Sequence, residues 1–351
     1  MLTRFGLPGN AVLKQAAITL GLEAAAVLGN RRFGLFNPGR GIIFTLHHVR
    51  PAQRDGFDPN AHLEITPDFL EDAILTGLEC GFQPVALDDL PDYLADPSQT
   101  KPAMVFTLDD GYLDNAEHAM PVFERHSIPF TVFVATGFMD RIHAPWWETL
   151  QTLLNSARRF DFEAGEHRLS FDLQSDQDRV KAFRQIRTLI STHDEQEMVA
   201  TLNATAERYG VNPFDYAAGD FMTAEGVSHL SRTRFARIGA HTVSHRNLRR
   251  LSARDVQDEM VASASRLEEI IGYRPKSFAY PYGFDAAVSQ RDMDLARDCG
   301  FHVAVTTQPA LLNTKSPARI TGLPRVSLNG FYQKKRYVRA LASGILFGFQ
   351  R

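Results

Sequence analysis

Two clusters of residues in this sequence combine the side chains that bind a metal ion with those that move protons. Asp109 and Asp110 come directly after an apolar run, so these adjacent carboxylates point in different directions. One of them can bind a metal while the other stays free as a base. His241 and His245 lie on one face if their segment is helical, close enough to share a cation. Two histidines and one aspartate leave coordination positions open for water, which is typical of a hydrolytic metal centre.

A third cluster is the turn at residues 279–283, Ala-Tyr-Pro-Tyr-Gly, whose backbone N–H groups can face a ligand. Each cluster alone is a weak signal, because Asp-Asp-Gly turns, histidines four residues apart and Pro-Gly turns are common. The second cluster also lacks the glutamate that follows the first histidine in a zinc-protease helix. All three together, each at the end of a predicted strand, indicate an active site, because parallel α/β folds place theirs there.

The elements that must position these clusters are short apolar runs alternating with helical patterns. The runs are rich in β-branched and aromatic residues, which predicts buried parallel strands. They lie at residues 42–46, 103–108, 130–134, 236–240, 277–280 and 301–305. Such repetition predicts a parallel sheet, either open or closed into a barrel.

The alternation stops between Trp146 and about residue 221. That stretch contains helical patterns, for example residues 180–190 and 195–208, and no clear strand beyond residues 168–173. We interpret it as a helical insertion between two strands and not as a second domain.

Composition excludes several classes of protein. The chain has 351 residues, 44% of them hydrophobic and 23% charged, with a formal charge of −3, so neither a disordered chain nor a nucleic-acid partner is expected. No apolar run reaches the ~18 residues of a membrane span, and Arg4, Lys14 and Glu23 interrupt any export signal. We therefore expect a cytoplasmic protein. The basic and apolar tail, residues 334–349, fits a packed terminal helix or peripheral contact with the inner membrane face.

The three clusters resemble, in order, the motifs of the polysaccharide deacetylase family, the NodB-homology domain of carbohydrate esterase family 4. Thr-Leu-Asp-Asp-Gly at residues 107–111 resembles its Thr-Phe-Asp-Asp-Gly, residues 241–245 its His-Ser/Thr-x-x-His, and residues 279–283 its Arg-x-Pro-Tyr-Gly. The resemblance implies a distorted (β/α)7 barrel. We expect a helical extension at 1–40, the barrel at 41–328 with a helical insertion at about 146–221, and a basic, apolar helical tail at 329–351.

The resemblance also implies a role for each motif residue. Asp109 is the expected catalytic base, the backbone N–H of Tyr282 is expected to bind the oxyanion, and the expected metal ligands are Asp110, His241 and His245. The expected cofactor is one divalent ion, with Zn²⁺ favoured and Fe²⁺, Co²⁺, Ni²⁺ and Mn²⁺ left open.

The sequence departs from the family pattern in ways that affect the base and the acid. The arginine of the third motif, which steers the base, is Ala279 here. The fourth motif, an Asp and Trp pair, and the fifth, Leu-x-His, have no match. Residues 44–49 resemble the Tyr-His-x-Val strand of the branch with the poly-N-acetylglucosamine deacetylases, in which this histidine replaces the acid. His47 is therefore our candidate acid and His48 the second choice, because alternation sends them to opposite faces; a structural histidine is the alternative.

Substrate contacts are expected around the same rim. The adjacent side chains of Trp146 and Trp147 suit stacking on a sugar ring, and they suit equally well the anchoring of the insertion to the barrel. Tyr280 and Pro281 are the other expected substrate contacts. We expect a hydrolase that removes acetyl groups from N-acetylglucosamine units of a glycan, and no oligomeric state is predicted. The alternatives are a deformylase or amidohydrolase for another amide, on a lipid-linked sugar or a non-sugar, and a carbohydrate-binding pseudoenzyme.

Overall fold

The computed structural model of the chain describes residues 8–28, 37–52 and 56–347. Its helices are Pro8–Leu28 (α1), Pro67–Glu79 (α2), Leu90–Ala95 (α3), Met120–Arg125 (α4), Thr136–Met139 (α5), Trp146–Ser156 (α6), Asp176–Thr192 (α7), Glu195–Arg208 (α8), Pro213–Asp220 (α9), Ala224–Ser231 (α10), Ala253–Ile271 (α11), Gln290–Asp298 (α12) and Lys335–Ala342 (α13). Its strands are Gly41–Leu46 (β1), His48–Val49 (β2), Glu64–Ile65 (β3), Gln83–Pro84 (β4), Ala103–Leu108 (β5), Phe130–Val134 (β6), Arg159–Ala164 (β7), His167–Asp172 (β8), Ala236–Ala240 (β9), Ser277–Ala279 (β10), Val303–Val305 (β11) and Val326–Ser327 (β12).

The central sheet is parallel and curls into a barrel. Its strand order is β11-β10-β9-β6-β5-β1-β12, and β4 pairs with the start of β5. The chain around Leu323 closes the ring, because Leu323 bridges to Val305 of β11 and Val326 pairs with Phe44 of β1. This architecture confirms the expected distorted (β/α)7 barrel.

The longest barrel strands are continuous apolar runs because both of their faces are buried. Every residue of β1, β5 and β6 is buried, between the barrel interior and the surrounding helices. β1 and β5 pair in register from Gly41 with Ala103 to Leu46 with Leu108, so both strands end at the same rim. The six predicted strands are all present, although β10 ends at Ala279 and β11 begins at Val303.

Helix ends follow the local capping chemistry. The Thr66 side chain accepts a hydrogen bond from the N–H of Phe69, and Pro67 takes the first position of α2. The Ser252 side chain caps α11 in the same way, and Gly272 ends that helix with a φ of 81°.

The insertion has its own apolar core and contains more strand than the sequence indicated. The predicted helices are present as α7 and α8, and the predicted strand at 168–173 is β8. It pairs in antiparallel register with β7, which the sequence interpretation missed. In β7 the side chains alternate between exposed and buried, which leaves only Phe160, Phe162 and Ala164 to face the core. Three buried positions separated by charged residues were too weak a signal to recognise.

The two ends of the described chain pack together. Arg336 and Tyr337 of α13 donate hydrogen bonds to the carboxylate of Glu23 in α1. Residues 1–7, 29–36 and 348–351 of the expected extension and tail lie outside the described residues. Over the ranges that are described, no helix has the length and apolar character needed to cross a membrane.

Candidate active site

Asp110, His241 and His245 converge at the barrel rim although 131 positions separate the aspartate from the first histidine along the chain. The Nε2 atoms of both histidines lie 3.3 Å from Oδ1 of Asp110. One ligand atom from each residue lies within 4.8 Å of the other two, and all three side chains are buried. Strands β5 and β9 end at the same rim, and this geometry joins the two motifs into one site.

The chemistry of these donors fits a divalent cation. His241 donates its Nδ1–H to the carbonyl of Ala279 at 2.7 Å, which leaves the lone pair of Nε2 facing Asp110. Oδ1 of Asp110 is buried and has no hydrogen-bond partner among the described residues. Burial lowers the pKa of His245 to about 4, so this imidazole is neutral at pH 7. Burial opposes the charge on Asp110, but the neighbouring histidines lower its pKa below the ordinary value. One carboxylate and two imidazoles, deprotonated at the nitrogens that face the ion, are a ligand set that suits Zn²⁺.

The histidine segment is a loop, not the helical turn that would have placed the two imidazoles on one face. Thr242 and His245 have φ values of 66° and 55°, and Asp110 and Tyr282 share this left-handed conformation at 75° and 61°. Such backbone costs of order 1–3 kcal/mol per residue and persists only where the surroundings impose it. The only other described non-glycine residues with positive φ are Ser127 and Arg141, so most of this strain is at the site.

Hydrogen bonds to backbone groups hold the histidine loop in this shape. The carboxylate of Glu259, on α11, accepts from the N–H groups of Val243 and Ser244 at 2.8 and 2.9 Å. On the other side, the N–H of Gly137 donates to the carbonyl of Val243 at 2.9 Å. A Cβ at Gly137 would lie 2.4 Å from that carbonyl oxygen, so the close approach requires glycine.

Asp109 is buried beside the metal-ligand cluster and binds an arginine that the sequence analysis did not identify. Arg325 donates to both carboxylate oxygens, Nη1 to Oδ1 at 2.7 Å and Nη2 to Oδ2 at 2.6 Å. Burial opposes the charge on Asp109, but the guanidinium keeps the pKa of this carboxyl below its ordinary value. Arg325 is itself fully buried and also donates to the Thr306 carbonyl and the Thr107 hydroxyl. The expected base thus faces an arginine from the segment that closes the barrel, whereas position 279 is an alanine.

A signal for Arg325 was present in the sequence. It is a lone charge in the apolar run of residues 323–328, where a buried strand requires an opposite charge nearby.

The adjacent histidines after β1 have different surroundings. His47 is close enough to Asp110 and Asp109 for both charges to act on it, while burial lowers its pKa. The ring of His48 is tilted against that of Tyr112, with the ring centroids 3.6 Å apart, and its Nδ1 lies 2.6 Å from the Asp114 carboxylate. The two histidines therefore lie in different environments, and the charges of Asp110 and Asp109 act on His47.

The four expected substrate contacts are buried. Tyr280 is completely buried in the main core, where its hydroxyl donates to the carbonyl of Thr321 at 2.7 Å, and Pro281 is buried in the same turn. Both side chains are therefore covered by the protein, and their expected contact with substrate stays a prediction.

The two tryptophans contact the rim from the insertion side. Trp146 and Trp147 are 8% and 7% exposed, which leaves little ring face for stacking. Their indole N–H groups donate to the hydroxyls of Tyr282 at 2.9 Å and Tyr112 at 3.2 Å. These contacts favour the anchoring interpretation over sugar stacking.

Comparisons with known proteins agree with this geometry. Residues 96–304, more than half of the chain, match the sequence model of a family described as polysaccharide deacetylase. Similar solved structures include IcaB from Ammonifex degensii, at 17% identity, a TM-score of 0.53, and coverage of 86% of this chain and 98% of that one. The Streptococcus pyogenes deacetylase PplD in complex with acetate is similar at 15% identity, a TM-score of 0.50, and coverage of 84% and 94%. At these identities the likeness shows the fold alone. A search of curated proteins found no matching sequence.

Proposed function

Because the chain belongs to the polysaccharide deacetylase family, we propose that it removes N-acetyl groups from N-acetylglucosamine units of an oligo- or polysaccharide. The observation that carries this proposal is the pairing of two adjacent carboxylates in different states. Asp110 faces two imidazole nitrogens, and Asp109 lies outside that cluster in a bidentate pair with Arg325. This arrangement supplies a place for one cation and a free base beside it.

Asp110, His241 and His245 would hold the ion, for which Zn²⁺ is our first choice. A divalent cation, when bound, supplies a Lewis acid that activates water and polarises the acetyl carbonyl. In our proposal Asp109 accepts the proton of the attacking water. Arg325 keeps that carboxylate ionised and fixes its orientation, which the bidentate geometry supports.

The remaining two roles belong to Tyr282 and His47. The backbone N–H of Tyr282 would donate to the oxyanion as the carbonyl carbon becomes tetrahedral. His47, in its protonated form, would then donate a proton to the leaving amine, so that the amide C–N bond breaks and acetate is released. The proton taken up by Asp109 would return to solvent, from which His47 is protonated again. The influence of the Asp110 and Asp109 charges on His47 supports it over His48, whose ring lies against that of Tyr112.

Acetate release from N-acetylglucosamine oligomers tests the proposal, with the purified protein loaded with Zn²⁺ and assayed before and after chelation. We expect release that stops on chelation and returns with metal. Asp109→Asn should bind the metal as the wild type does but lose about 10²–10⁴-fold in kcat, because the general base is gone. Asp161→Asn changes an exposed aspartate of the hairpin and is the matched control.

Two results would contradict the proposal. A metal-loaded protein that releases formate from formamides, but no acetate, would favour the other amide. A protein that binds metal and oligomer yet releases neither would favour the pseudoenzyme.

A further inference from the structure

We propose that the insertion positions the active site, because Glu195 of α8 holds the hydroxyl of Tyr282 and thereby fixes the turn that carries the Tyr282 N–H. Glu195 is a positioning residue in this inference and touches no substrate. The inference depends on the proposed function, in which that N–H binds the oxyanion. It gives residues 146–221 a role that neither the family motifs nor the comparisons assign.

The hydroxyl of Tyr282 is held by two partners, both from the insertion. It donates to Oε1 of Glu195 at 2.7 Å and accepts from the indole N–H of Trp146 at 2.9 Å. The second oxygen of Glu195, Oε2, accepts from the backbone N–H of Asn247 at 2.9 Å. One carboxylate therefore joins the turn after β10 to the loop after β9, two residues past the metal ligand His245.

The turn itself has little freedom to move. Tyr282 has a φ of 61°, and its carbonyl accepts from the hydroxyl of Thr307 at 2.6 Å. Gly283 follows with a φ of 65°, and a Cβ there would lie 2.5 Å from the backbone nitrogen of Thr307. Thr307 thus holds the backbone end of Tyr282, and Glu195 with Trp146 holds the far end of its side chain. A backbone in this strained region needs such restraint.

The same part of the insertion makes further contacts with the segment that follows β9. Arg246 donates to the side chain of Gln196 at 2.9 Å, and Arg250 donates to the carbonyl of Ile190 at 3.0 Å and to that of His193. These contacts place the junction of α7 and α8 against the loop, so Glu195 is held in a fixed position. A fixed carboxylate on a packed helix can position a hydroxyl, whereas an exposed flexible one cannot.

A double-mutant cycle on Glu195 and Tyr282 tests the inference in the metal-loaded full chain. Tyr282→Phe removes the hydroxyl and keeps the backbone N–H, and Glu195→Gln replaces one acceptor oxygen by an NH₂ group. Loss of an oxyanion donor costs about 10²–10³-fold in kcat. We therefore expect a displaced donor to cost about 10-fold in kcat in each single variant, with KM within about 2-fold. The double variant should lose no more than either single one, because both changes act on the same contact.

The matched control is Glu197→Gln, the same change on an exposed glutamate of the same helix, and we expect wild-type kinetics from it. Multiplicative losses in the double variant would overturn the inference, since Glu195 would then act independently of the Tyr282 hydroxyl. Unchanged kcat in Glu195→Gln would overturn it as well.

A spectroscopic readout separates this inference from the proposed function. The chain has two tryptophans, so its nitrogen–proton NMR spectrum contains two indole N–H signals. Glu195→Gln and Tyr282→Phe should shift the Trp146 signal, and Glu197→Gln should leave it in place. If wild type and control hydrolyse no glycan while these shifts occur, the network stands and the proposed function fails. If the wild type is active but neither variant shifts the signal or slows turnover, the positioning role fails and the function stands.

Discussion

Two buried carboxylates, one inside the barrel and one on the insertion, are held in opposite ways. Asp109 at the end of β5 faces a guanidinium that donates to both of its oxygens. Glu148 on α6 is only 3% exposed, and burial has the largest influence on its carboxylate. His48 and Arg50 lower its pKa by less than burial raises it.

This difference in partners determines the protonation of the two acids. Burial alone would raise both pKa values, but the charge of Arg325 lowers that of Asp109, whereas burial raises the pKa of Glu148 to about 7. Asp109 is therefore ionised at neutral pH, as a base must be. Glu148 is near its midpoint there. The carboxylate in the barrel is therefore charged at neutral pH, whereas the carboxylate on the insertion is only partly charged.

The largest expected effect comes from removing the partner of Asp109. Arg325→Met leaves a buried carboxylate unpaired, which typically costs about 3–5 kcal/mol of unfolding free energy. Urea unfolding in the presence of a chelator measures this cost without a contribution from bound metal. Adding Asp109→Asn to Arg325→Met should recover a large part of the loss, because the unpaired charge is then gone. A double variant less stable than Arg325→Met would show that the pair is not what stabilises this part of the barrel.

The same contrast explains what the sequence could reveal. The barrel strands, the Asp-Asp pair and the two histidines were predictable, because each signal lies within a few consecutive residues. Arg325 is 216 positions from Asp109, and the two meet only because the segment with Leu323 and Val326 closes the barrel. Patterns of neighbouring residues do not indicate how the barrel closes, so they could not predict this pair.

The insertion contacts were unpredictable for a related reason. Whether Trp146 stacks on a sugar or anchors a helix depends on where Tyr282 lies in space. Glu195 begins a predicted helix, where an acidic residue is ordinary on local grounds alone. Its contact with a motif residue appears only when the insertion is placed over the rim.

The effect expected for Glu148 is of intermediate size. The contribution of this residue to stability should fall as pH rises, whereas that of a paired acid rises with pH. Its folded pKa of about 7 is above the ordinary value of 4.5, so the folded state holds this proton more tightly than the unfolded chain. Stability should therefore fall as pH rises from about 4.5 to about 7, by about 3 kcal/mol for this group. Glu148→Gln mimics the protonated form and should not lose that stability.

The measurement is the unfolding free energy of wild type and Glu148→Gln at pH 5 and pH 8. We expect the two proteins to be similar at pH 5 and the variant to be more stable at pH 8. Glu166→Gln, an exposed glutamate of the hairpin, is the control and should follow the wild type. An equal difference at both pH values would mean that Glu148 does not titrate between them.

The smallest expected effect concerns Tyr280, an expected substrate contact whose side chain is buried in the core. Tyr280→Phe removes one buried hydrogen bond, from its hydroxyl to the carbonyl of Thr321, at a cost of about 1 kcal/mol. Because the side chain is fully buried, KM and kcat for acetate release should stay at their wild-type values. Tyr282→Phe, two residues along the same turn, should instead lower kcat. An increase of KM in Tyr280→Phe without loss of stability would contradict this prediction. It would mean that Tyr280 contacts the substrate and that the turn opens when glycan binds.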